Sequence, residues 1–127
     1  MRKEKLKAMY RYFESLKVNP IKLEDMSVFY TDDVEMIINE SLVSKGRVEF
    51  FEHFEHMLTL SRDYRFVFAD DAFIDDGKRV AVKYRIDMTK QGEPKVLYVI
   101  AYFEFVDGLI SKWDEVVAEA SPQELGL

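Results

Sequence analysis

Apolar positions early in the chain recur with a helical period, and those in its second half alternate as strands do. Leu6, Met9, Tyr10, Phe13 and Leu16 fall on one face of a helix predicted over residues 3–18. Asn19 is a capping residue and Pro20 suits a first helical position, so a short second helix is expected at about 20–28, anchored by Ile21, Leu23, Met26 and Phe29. Val34, Met36 and Ile38 alternate with Glu35, Ile37 and Asn39, which predicts a short strand. A third helix follows over roughly 46–60, with Phe50, Phe51, Phe54, Met57 and Leu58 on its apolar face.

The rest of the pattern is β. A strand over 63–74 loses its alternation near Ala69–Ala72, where a bulge is expected. After a turn at 75–78, a strand over 79–88 sets Val80, Val82, Tyr84, Ile86 and Met88 against Ala81, Lys83, Arg85 and Asp87. Strands over 95–106 and 109–118 are joined by an Asp107-Gly108 turn, and 119–127 reads as a loose polar tail. Early helices and a late meander indicate one α+β domain over 1–127, with helices packed on one face of a mainly antiparallel sheet. A long sheet curled around a helix makes a cone with an open mouth, where pockets form.

The strand 95–106 is apolar on both faces. Val99, Ala101, Phe103 and Phe105 point one way; Tyr98, Ile100 and Tyr102 point the other. One set lines the cone. The other would sit on an outer face that is usually polar, so a covered surface is expected, by a second copy of the chain or by the chain's own tail.

Composition narrows the function classes. With 127 residues, 14% aromatics and a net charge of -6, the chain suits a single ring-rich core and lacks the basic stripe of a nucleic-acid binder. It has no cysteine, so thiolate chemistry and disulfides are excluded, which fits a cytoplasmic setting. No apolar run is long enough for a membrane span, and no apolar segment of a signal peptide follows the basic start.

Several stretches in order resemble one family. "FYTDDVEM" resembles its entry into the first strand, "SKGRVEFFEHF" its glycine-then-helix segment, "YFEFVDGLISKWDEV" its last hairpin, and "PQELG" its tail. The family is the SnoaL-like group of the nuclear transport factor 2-like superfamily. The resemblance implies a curved sheet wrapped around amino-terminal helices and frequent sheet-to-sheet dimers. It also implies a range of roles, from ketosteroid isomerases, polyketide cyclases, dehydratases and epoxide hydrolases to noncatalytic binders. Fold alone does not choose among them.

Aligned on these motifs, the positions that carry the proton-transfer groups of the resembling isomerases are occupied here by Phe13, Ile38 and Ala101, none of which can move a proton. Tyr12 is one residue off and turned away. The resembling cyclases place an acidic residue near the end of the last strand. There Glu115 shares a face with Ser111, Trp113 and Val117, which makes it the candidate base, with Tyr84 a hydrogen-bond donor across the pocket. The plainer alternative is a solvated carboxylate at the rim. The expected lining is Phe13, Met36, Ile38, Phe54, Tyr84, Ala101, Phe103 and Trp113. The expected ligand is a small hydrophobic or aromatic molecule. Isomerisation, cyclisation or dehydration is compatible with this site; a noncatalytic module using its aromatic sheet face is the other reading.

No cofactor or metal is expected. His53 and His56 are read as a solvated pair beside Glu49 and Glu52. The aspartates of "DDAFIDDGK" lack the ligand pattern of a calcium loop.

Overall fold

The structure is a computed structural model that describes residues 2–120. Helix α1 spans Arg2–Ser15 and buries Leu6, Met9, Tyr10 and Phe13, the face expected from the spacing. It stops three residues before the predicted end, and Val18 and Asn19 donate back to the Ser15 carbonyl. Asn19 and Pro20 do not open a helix. They belong to the connection, and a 3₁₀ turn at Leu23–Asp25 leads into the single-turn α2, Met26–Phe29.

Strand β1, Tyr30–Ile38, starts earlier than expected because Thr31–Asp33 continue it. It turns into β2, Ser41–Lys45, a stretch to which the sequence pattern assigns no element. Gly46 then adopts φ +88°, a conformation that L side chains rarely adopt, and starts α3, Arg47–Leu60. Strands β3 (Ser61–Val67), β4 (Phe73–Asp75), β5 (Arg79–Lys90), β6 (Glu93–Val106) and β7 (Leu109–Ala120) follow. The expected interruption between β3 and β4 is a 3₁₀ turn at Asp70–Ala72. Residues 119 and 120 belong to β7 rather than to the predicted tail, and the rest of that prediction, 121–127, lies outside the described residues.

The sheet order is β2-β1-β7-β6-β5-β3, with β4 on β5. All pairs are antiparallel except β1 with β7, so the sheet is mixed. The helices pack on one face and make an α+β cone. Tyr10 sits at its centre, 4.9 Å from the rings of both Phe66 and Tyr84. Phe50 closes the other side, 4.2 Å from Tyr30. Among the described residues, no helix is long and apolar enough to cross a membrane.

Candidate active site

Alternation along β7 turns Trp113 and Glu115 inward, and both are buried. The parallel pairing sets Met36 beside Trp113 and Ile38 beside Glu115. Above this floor lies a cavity of about 90 Å³. Helix α1 contributes Phe13 to its wall, α3 contributes His53, Phe54 and Met57, and β3 contributes Tyr64 and Phe66. Strand β5 adds Tyr84, Ile86 and Met88, and β6 adds Leu97.

Of the residues expected to line a pocket, Phe13, Met36, Ile38, Phe54, Tyr84 and Trp113 do so. Ala101 and Phe103 do not. They pair across strands with Glu115 and Trp113 and lie buried in solid core. Alternation shows that a side chain faces inward, but not whether it meets a cavity or another side chain.

Glu115 is only 8% exposed. Burial pushes its carboxyl up to about 7, the nearby Asp114 charge adds to this, and the Trp113 indole N–H opposes it. At neutral pH the group is therefore divided between acid and carboxylate, the condition suited to both giving and taking a proton. Burial also pushes the Tyr84 hydroxyl well above its ordinary value, with Tyr10 and Glu115 adding to the effect.

Three polar groups near this carboxyl are left over. The Tyr10 and Tyr84 hydroxyls lie close enough to influence each other, yet neither makes a well-formed hydrogen bond. The Trp113 Nε1–H influences Glu115 without good hydrogen-bond geometry. A buried polar group without a partner costs about 1–3 kcal/mol, so a cluster of them beside a cavity is a functional signal. Sequence reading placed Tyr10 on the apolar face of its helix and missed its hydroxyl.

His53 was expected in solvent beside His56. The structure leaves His56 exposed but puts the half-buried His53 on the cavity wall, its ring edge-on to Phe54. Its spacing from Phe50 and Met57, three and four residues away, was the available signal. Tyr12 donates instead to Asp25, away from the cavity. Among the described residues, no group of three or more His, Cys, Asp or Glu could hold a metal ion.

Asn39 holds the end of β1 against the strand that carries Glu115. Its side chain accepts from the Val117 amide at 2.9 Å and donates to the Val117 carbonyl at 3.2 Å, while its own amide donates to the Glu115 carbonyl at 2.9 Å. It does so with φ at +48°, a region Asn tolerates better than most residues. Asn39→Ala loses both side-chain bonds, and urea unfolding is expected to show a loss of about 1–2 kcal/mol.

A wider groove of about 710 Å³ runs between α1 and β3, lined by Arg11, Glu14, Lys17 and Arg65 among others. It is open and charged. Tyr64 and Phe66 line both spaces and form the wall between them.

The family model described as a SnoaL-like domain matches residues 9–113. A comparison with curated proteins finds no match. Among solved structures, an NTF2-like protein of unknown function from Burkholderia pseudomallei aligns with a TM-score of 0.74 at 16% identity, covering 99% of this chain and 95% of that one. An LEH-like epoxide hydrolase of M. tuberculosis aligns at 0.72 and 14% identity, covering 92% and 82%. PrhC from Penicillium brasilianum aligns at 0.68 and 18% identity, covering 93% and 83%. At these identities the likeness establishes the fold.

Proposed function

The chain belongs to the SnoaL-like domain family, and from that premise we propose that it holds a small, largely apolar molecule in its cone and moves a proton on it through Glu115. The observation that carries this reading is a nine-tenths buried carboxyl, titrating at about 7, on the floor of an apolar cavity. Tyr84 is the hydrogen-bond donor for a polar atom of the ligand, with the Trp113 N–H beside it. Isomerisation, cyclisation and dehydration all need such a proton transfer. An epoxide hydrolase on the same fold supports small-molecule chemistry in this cone without assigning the reaction.

A cavity of about 90 Å³ is smaller than a drug-sized site. Met36, Met57 and Met88 line it, and unbranched thioethers repack readily, so the space widens around a ligand without moving the backbone. Native mass spectrometry of protein from its own host tests the reading. One small bound molecule per subunit is expected; no carried molecule, and none taken up from a library of small aromatic and alicyclic compounds, contradicts it.

The outer sheet face fits a second copy. Tyr98 is 41% exposed, Ile100 60% and Val116 61%, and Ile100 lies directly across from Val116. Arg79, Lys83, Arg85 and Asp87 lie on the same face of β5, and Lys112 and Asp114 on the same face of β7. A twofold axis running along β6 sets β5 of one copy against β7 of the other. Light scattering is expected to give twice the 15.0 kDa subunit mass, and Ile100→Lys to halve it. A monomeric wild-type protein at micromolar concentration sinks this assignment.

A further inference from the structure

Glu115 meets a ligand from the sheet side of the cavity only. A second proton-carrying group on the opposite wall would let one ligand atom lose a proton while another gains one. Among the described residues, four ionisable side chains line the cavity: Glu115 on β7, Tyr84 on β5, Tyr64 on β3 and His53 on α3. The tyrosines are held as neutral phenols, their hydroxyls raised by burial. Strand β1 contributes only Met36 and Ile38 to the lining. His53 is thus the remaining group able to exchange a proton near neutral pH.

Its surroundings suit that task. The ring lies edge-on against Phe54. It is half-buried, so it meets both the cavity and solvent. It stands on the helix side, whereas Glu115 stands on the sheet side. We propose that His53 is the second proton-carrying residue of this cavity, acting from the helix side on the same ligand that Glu115 meets from the sheet.

The inference rests on the reading of Glu115 above. The Glu115 carboxyl breaks its O–H bond and gives that proton to one ligand atom. The lone pair of a neutral His53 nitrogen takes a proton from a second ligand atom, whose bonding pair moves into the ligand's π system. The ligand keeps its formula and charge. Glu115 is left as a carboxylate and His53 as an imidazolium, and exchange with water restores both. Burial, with the His56 charge one turn along adding to it, holds His53 below its ordinary value of 6.5, so the imidazole is neutral where Glu115 still carries its proton.

The protein has two histidines, so their ring carbon–proton signals can be followed by NMR against pH, with H56Q assigning them. Two ionisable groups that interact by more than about one pH unit titrate as a coupled pair. The wild-type His53 signal is expected to move in two steps, one below 6.5 and one as Glu115 ionises near 7. In E115Q only the lower step remains. Superimposable His53 curves in the two proteins overturn the pairing. A Glu115 carboxyl found at its ordinary value in the same samples overturns the underlying reading instead.

Deuterium uptake from heavy water into acetylacetone supplies the rate. H53Q is expected to lower the protein-dependent uptake by roughly 100-fold, with the thermal midpoint unchanged. Equal uptake in wild type and H53Q, including none in either, overturns the role of His53.

Discussion

Glu115→Gln is expected to stabilise the fold by about 3 kcal/mol at pH 8 and to leave it nearly unchanged at pH 4. The sign follows from where each state binds its proton. In the unfolded chain the carboxyl titrates near its ordinary 4.5; in the fold it titrates at about 7. Below 4.5 both states are protonated and the group adds nothing. Between 4.5 and 7 the unfolded chain has released the proton while the fold retains it, so stability falls as pH rises. The loss is complete above the folded value. Glutamine has the same shape and cannot ionise, so the variant lacks this slope. Urea unfolding of both proteins from pH 4 to 9 measures the gap. A gap that does not change with pH means that Glu115 meets water in the fold.

Phe50→Ala is expected to cost about 3–5 kcal/mol. The side chain is fully buried and packs 4.2 Å from Tyr30, 4.9 Å from Phe54 and 6.0 Å from Trp113, measured between ring centroids. Truncation leaves a void that these rings cannot fill without leaving their positions. A domain of this size is stable by about 5–15 kcal/mol, so the variant gives up a substantial share of that margin. Phe50→Leu, which keeps most of the volume, separates lost volume from lost ring contacts. A cost below about 1 kcal/mol for the alanine variant would show that this aromatic cluster does not hold α3 to the sheet.

The same rings explain what could be read from the chain. Alternation and helical spacing locate a face, and faces were legible: Leu6 to Phe13 on α1, Val80 to Met88 on β5, and Trp113 with Glu115 on β7. What lies opposite a face is set by tertiary packing. Hence Glu115 could be oriented but not assigned a depth, and Phe103 could be turned inward but not told from a cavity wall. His53 sits at the border of its helix's apolar face, where packing against the rest of the fold decides its exposure; it shares the cavity wall with Tyr64 of β3. Tyr10 obeys the apolar period of α1, so nothing in the spacing reveals that its hydroxyl ends among Tyr84 and Glu115. Strand β2 escaped notice because Leu42 and Val43 are adjacent rather than alternating and both are exposed. The parallel pairing of β1 with β7, which sets Ile38 beside Glu115, joins segments 77 residues apart and leaves no local mark.

The positions that carry proton-transfer groups in the resembling isomerases hold Phe13, Ile38 and Ala101 here, and none of these side chains can carry a proton, although Phe13 and Ile38 line the cavity. The proposed chemistry depends first on Glu115 of β7. The most direct test follows the Glu115 side-chain carboxyl carbon by NMR from pH 4 to 9, with E115Q identifying the signal. A midpoint near 7 is the predicted result. A midpoint at or below the ordinary 4.5 contradicts the account, because a carboxyl that ionises as it does in water is not sealed beneath an apolar cavity.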